Sequence, residues 1–212
     1  MNKTHPPNIY IIGAQCTGKT TLVNALAASF NDFPPCARPA VIKEVARTVL
    51  TAHDLSAHDI RTSAPRSALL QMLILKAQHA REQEALQTST WFISDRSGLD
   101  PLVYAERHVG PAFVREMMST SEWQHLRASL ARALILVCEP VEEWLVDDGV
   151  RLMPTDREDW RDYHGRFCSL LESLGLQYRL VPSTMAHLGM RVRYVWEQWK
   201  GGTVGDDAGL VG

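Results

Sequence analysis

The chain has 212 residues, 45% of them hydrophobic and 22% charged, which is ordinary for a globular domain long enough to bury a substantial core. Its 22 basic and 24 acidic side chains leave a formal net charge of -2, a balance that asks for neither a nucleic-acid partner nor an anionic membrane surface. Cys16, Cys36, Cys138 and Cys168 form no C-x-x-C pair, so no zinc site or disulfide framework is expected; with no targeting or membrane-spanning segment in view, the expected address is cytoplasmic.

Residues 8–12 read as a short buried strand, followed by a Gly-rich turn and a helix from Lys19 to Phe30 with Leu22, Val23, Leu26 and Ala27 at helical spacing. Pro34, Pro35 and Pro39 mark a loop, Val41 to Glu44 a second strand, and Val45 to Ala52 a short helix. His53 to Pro65 looks irregular, and Arg66 to Leu86 has the composition of a long helix. Trp91 to Asp95 reads as a strand ending in a carboxylate. Asp100 is expected as the N-cap of a helix that opens on Pro101 and ends at Gly110-Pro111. Ser121-x-x-Gln124 and Thr155-x-x-Glu158 have the form of capping boxes. Between them lie an apolar strand, Ala133 to Cys138, and a charged stretch from Glu139 to Pro154. The helix after the second box keeps Trp160, Tyr163, Phe167, Leu170, Leu171 and Leu174 on one stripe and is capped by Gly175. Gln177 to Val181 reads as the last strand, and Val192, Val195, Trp196 and Trp199 as the seam of the last helix. The alternation predicts an α/β fold with a parallel sheet between helices, as one domain over residues 1–200 with a flexible tail at 201–212.

Gly13-Ala14-Gln15-Cys16-Thr17-Gly18-Lys19-Thr20 matches G-x-x-x-x-G-K-[ST] fully, with a strand before it and a helix after it. Glycine lets successive N–H groups converge on phosphate oxygens, and the helix adds its free N–H groups and positive dipole end. Lys19 would reach the outer phosphates, the Thr20 hydroxyl would ligate Mg2+, and Thr21 would complete the nucleotide-binding loop. ATP and GTP are not distinguished, although the lack of an Asn-Lys-x-Asp motif disfavours a small GTPase.

Asp95, at a neighbouring strand end, is the expected second magnesium ligand, though Asp is also favoured as a helix cap. Arg96 follows it where a motor ATPase would carry a Glu, and would instead neutralise charge on a transferring phosphoryl group. Glu44, after the second strand, is placed to accept a proton from a substrate hydroxyl, or to hold a metal-bound water. A surface ion pair with Arg47 would use the same spacing.

The P-loop, Glu44-Val45-Ala46-Arg47 and Asp95-Arg96-Ser97 through Asp100 to Tyr104, in that order, resemble the NadR-like (ribosylnicotinamide-kinase-type) domain of the P-loop nucleoside and nucleotide kinases. Asp95-Arg96-Ser97 is similar to the Glu-Arg-Ser motif of some deoxynucleoside kinases, with Glu44 where their base would be. The resemblance implies a three-layer P-loop NTPase fold: a parallel five-stranded sheet flanked by helices, with a lid at about residues 140–161. Arg151 and Arg157 resemble lid arginines that close on the phosphates, Arg161 less so. Arg61 and Arg66 would meet an acceptor phosphate if the substrate were a nucleotide, and Val181-Pro182-Ser183 would flank the base. Two functions follow: a kinase passing a phosphoryl group from ATP or GTP to a small hydroxylated acceptor such as a nucleoside, or a nucleotide-gated regulatory module for a protein or lipid headgroup.

Overall fold

The computed structural model describes residues 6–34, 37–145 and 156–203. Its frame is a five-stranded sheet in the order β2-β3-β1-β4-β5. The strands are β1 (Ile9–Ile12), β2 (Ala40–Ile42), β3 (Phe92–Asp95), β4 (Leu134–Cys138) and β5 (Arg179–Val181), and every pairing is parallel. A parallel sheet is covered on both faces, so its central strand should be apolar throughout. Accordingly all four residues of β1 are buried.

The two faces split by the period-two alternation of the strands. Ile9, Ile11, Ile93 and Leu136 pack with α1 (Lys19–Ala28) and α9 (Leu188–Thr203) through Leu22, Leu26 and Val195. Tyr10, Ile12, Phe92 and Val137 face the other layer: α4 (Ala64–Thr88), α5 (Leu99–His108), α6 (Pro111–Ser119), α7 (Ser121–Leu130) and α8 (Arg157–Ser173). A smaller cluster of Val49, Ile60, Leu70 and Ile74 joins α2 (Ala46–Ala52) and α3 (Ala57–Thr62) to α4. The expected three-layer α/β architecture is therefore present. Among the described residues no helix is long and apolar enough to cross a membrane.

Local chemistry moved several boundaries. The segment read as irregular holds α3, because Ser56 and Asp59 form a reciprocal capping box. The long helix starts at Ala64, capped by Ser63, and Pro65 is tolerated in the first turn, where no intrahelical N–H is needed. Asp100 is not an N-cap: Gly98 holds that position, and the Asp100 carboxylate accepts the Ser97 N–H at 2.8 Å from inside the first turn. Gly110-Pro111 ends α5 but also opens α6, with Pro111 as its first residue. Thr120 rather than Ser121 caps α7. Asp156 caps α8, accepting the Asp159 N–H at 2.8 Å, while Thr155 lies outside the described residues. β2 ends at Ile42, leaving Glu44 two residues beyond the strand. Gly175 closes α8 as expected, in a left-handed conformation, with Leu176 N–H on Leu171 O and Gly175 N–H on Glu172 O.

A polar cluster lies inside the larger core. The Glu82 carboxyl on α4 accepts the Tyr10 hydroxyl at 2.7 Å and the Gln78 amide at 3.0 Å, and Tyr10 also meets the Ser129 hydroxyl at 2.9 Å. Gln78 extends the network to Ser94 on β3 at 3.2 Å. Burial pushes the Glu82 carboxyl up to about 7, with those hydrogen bonds pulling the other way. The folded chain therefore holds a proton that the unfolded chain releases near the ordinary value of about 4.5. Stability falls as pH rises from that value to about 7, and the full penalty persists above it. Glu82→Gln should raise the melting temperature at pH 8, by an amount equivalent to at most roughly 3 kcal/mol, with the gain shrinking towards zero at pH 4.5. Thermal unfolding of both proteins across that range checks it.

Candidate nucleotide and acceptor site

The loop after β1 has the backbone that its glycines permit. Gly13 has φ +131, and a Cβ there would lie 2.7 Å from the Cys138 carbonyl oxygen at the end of β4. Gly18 has φ +77 and serves as N-cap of α1, where a Cβ would lie 2.6 Å from the Trp144 ring. No side chain caps this helix and its first turn carries no acid, so its positive end is left for an external anion.

Four side chains hold the loop in place. The Trp160 indole N–H on α8 donates to the Gln15 carbonyl at 2.7 Å, and the Thr17 hydroxyl to the Ala14 carbonyl at 3.0 Å. Arg191 on α9 donates to the Thr17 carbonyl at 2.9 Å. The Lys19 ammonium donates to the Ala14 carbonyl and, at 3.3 Å, to Thr17 Oγ1. Burial, then the nearby Arg96 charge, brings the Lys19 pKa down to about 8.

The Thr20 hydroxyl donates to Asp95 Oδ2 at 2.5 Å, which joins the start of α1 to the end of β3. Asp95 Oδ1 is buried and has no hydrogen-bond partner. A hydroxyl and a carboxylate with a spare buried oxygen fit a hard divalent cation, and Mg2+ typically takes few protein ligands alongside water and phosphate oxygens. No cluster of three or more His, Cys, Asp or Glu side chains suited to a metal occurs among the described residues.

Beside this pair lies a second charged group. Arg96 adopts φ +82, its N–H donates to Ile11 O at 3.0 Å, and its guanidinium meets Glu44 at 2.5 Å and Asp100 at 2.8 Å. Glu44 also meets Arg47 at 3.4 Å, so the surface-type pair coexists with the buried one. The Arg96 charge holds the Glu44 carboxyl down at about 2. Two clefts meet here. One is lined by Thr17 to Thr21, Asp95 and Arg191. The other lies between α2, α3, α4 and α5, with Gln15, Gln71, Gln78 and Tyr104 on apolar walls. Glu44 and Arg96 line both.

Other expected groups lie elsewhere. Arg157 and Arg161 both pair with Glu142 and do not line the phosphate cleft. Arg151 and Asp147 to Val150 lie outside the described residues. Arg66 pairs with Asp59 at 2.7 Å, and Arg61 approaches Asp159 at 3.7 Å. Trp144 and Arg191, by contrast, line the phosphate cleft without having been anticipated. The available signal was an arginine four residues before Val195, on the buried seam of α9.

Because backbone rather than a movable side chain opposes Gly13, Gly13→Ala should destabilise the fold, by on the order of 2 kcal/mol. Urea unfolding measures it, and a stability equal to wild type would contradict the close approach of β1 and β4.

With this geometry in view, the family described as AAA domain (AAA_28) matches residues 8–187. No curated protein matches the chain. Among solved structures, a NadR protein in complex with NR is 21% identical at TM-score 0.67; the match covers 91% of this chain and 51% of that one, so the chain spans about half its length. Deoxyadenosine kinase from M. mycoides with bound dATP is 10% identical at TM-score 0.62, covering 92% and 99% of the two chains. Shikimate kinase from Acinetobacter baumannii in complex with shikimate is 12% identical at TM-score 0.54, covering 94% and 96%. The chain belongs to the AAA_28 family of AAA domains and is built on the P-loop kinase fold.

Proposed function

We propose that the chain is a magnesium-dependent kinase that transfers the terminal phosphoryl group of ATP or GTP to a hydroxyl of a small, nucleoside-like acceptor. The observation that carries this reading is the shared wall of the two clefts. Glu44 and Arg96 face the P-loop cleft on one side and, on the other, a mostly apolar cleft with a few polar side chains, a lining suited to a nucleoside-like molecule. A donor and an acceptor bound in these clefts would meet at those two side chains. The solved structures of similar fold contain NR, dATP and shikimate, all small molecules.

In this reading the loop N–H groups and Lys19 grip the triphosphate, and Thr20 and Asp95 hold the metal. Bound there, Mg2+ neutralises phosphate charge. Arg96 supplies positive charge beside the transferring group. Glu44 stays ionised throughout the physiological range and accepts a hydrogen bond from the acceptor hydroxyl, aiming its lone pair at phosphorus. A carboxylate held near 2 is a weak base, so its contribution is orientation; a loose phosphoryl-transfer transition state needs little prior deprotonation. Arg61 and Arg66, beside Asp159 and Asp59, do not line the acceptor cleft.

A metabolite panel assayed for acceptor-dependent ADP or GDP release tests the proposal. Lys19→Ala should abolish turnover. Glu44→Gln should keep nucleotide affinity within about threefold of wild type while slowing transfer on the order of a hundredfold or more. Nucleotide hydrolysis indifferent to every acceptor, or loss of nucleotide binding in Glu44→Gln, would count against it.

A further inference from the structure

Arg191 stands out in the described structure. It is 1% exposed and projects from α9 to the carboxyl edge of the sheet. Its Nε donates to the Met185 carbonyl at 2.7 Å and one Nη to the Thr17 carbonyl at 2.9 Å. The other Nη is buried and has no hydrogen-bond partner. Among the described residues it forms no ion pair, whereas Arg96 beside the same cleft has two carboxylates. The Trp144 ring lies 4.5 Å from the guanidinium carbon. Burial without a carboxylate also lowers its pKa from the ordinary guanidinium value.

A buried cation without an anion is costly to keep, so its surroundings should supply one in the working state. It lines the cleft at the loop and lies beside Gly18 at the uncapped start of α1: a Cβ on Gly18 would fall 3.1 Å from the Arg191 Nη that donates to Thr17. Phosphates held at a helix N-terminus would therefore come within reach of this guanidinium.

We propose that Arg191 is a direct ligand of the bound nucleotide, contacting the phosphates common to the di- and triphosphate. This rests on the nucleotide-binding reading above. The α9 helix then becomes part of the nucleotide site and supplies a second fixed positive charge opposite Lys19. Arg191 lines only the loop cleft, whereas Arg96 lines both clefts.

Calorimetry of the full chain with Mg·ATP and Mg·ADP tests the assignment, comparing wild type with Arg191→Lys and Arg191→Gln. Lys alone keeps the charge, the Gln amide nitrogen takes the place of Nε on the Met185 carbonyl, and thermal unfolding of each nucleotide-free variant reads any loss of bracing separately. Arg191→Gln should weaken both nucleotides by on the order of tenfold to a hundredfold, and Arg191→Lys by only a few-fold. Equal losses in the two variants would make Arg191 a brace for the loop and overturn the proposal. So would wild-type affinity in Arg191→Gln, or a loss confined to Mg·ATP. Failure of wild type to bind either nucleotide would instead overturn the parent reading.

Discussion

Positive charge buried at the carboxyl edge of the sheet is the constraint from which the rest of the site follows. Lys19, Arg96 and Arg191 are each less than a tenth exposed, and all reach this one edge. Burying a cation is expensive unless an anion or several hydrogen-bond acceptors answer it. Arg96 is answered by Glu44 and Asp100 from two different elements. Lys19 and Arg191 are met mainly by main-chain carbonyls, those of Ala14 and Thr17 in the loop and of Met185 outside it. The strand order β2-β3-β1-β4-β5 brings these cations and the carboxylates of Glu44, Asp95 and Asp100 together from distant parts of the chain.

The loop is equally dependent on its neighbours. Gln15 is gripped twice: its carbonyl accepts the Trp160 indole, and its side-chain oxygen accepts the Tyr104 hydroxyl at 3.2 Å. Its amide nitrogen is buried without a partner at the edge of the acceptor cleft. α8, α5 and the P-loop are thereby tied at a single residue, and Asp159 extends the tie by meeting Arg107 on α5.

Much of the frame was legible because its causes are local. Gly13 and Gly18 announce positive φ, the run Ile9–Ile12 announces a strand covered on both faces, and the match of the whole loop motif fixes where phosphate would lie. Asp95 could be placed because a strand end and the loop share an edge in any parallel sheet. The Glu44–Arg96 contact joins residues 52 apart through the pairing of β2 with β3, which no local pattern encodes. α3 and α6 escaped notice because short polar or Pro-led segments look like loops until their caps are seen. Arg191 was hidden for a different reason: in a sequence an arginine reads as solvated, and only the packing of α9 against β4 and α1 turns it inward.

The wall of the acceptor cleft has an unusual origin in the chain. From Glu44 to Gln78 a single uninterrupted stretch supplies most of it, while the nucleotide loop comes from an earlier segment and the metal carboxylate from a later one. Under the proposed function, drift within those consecutive codons would re-tailor the acceptor without disturbing how the donor is held.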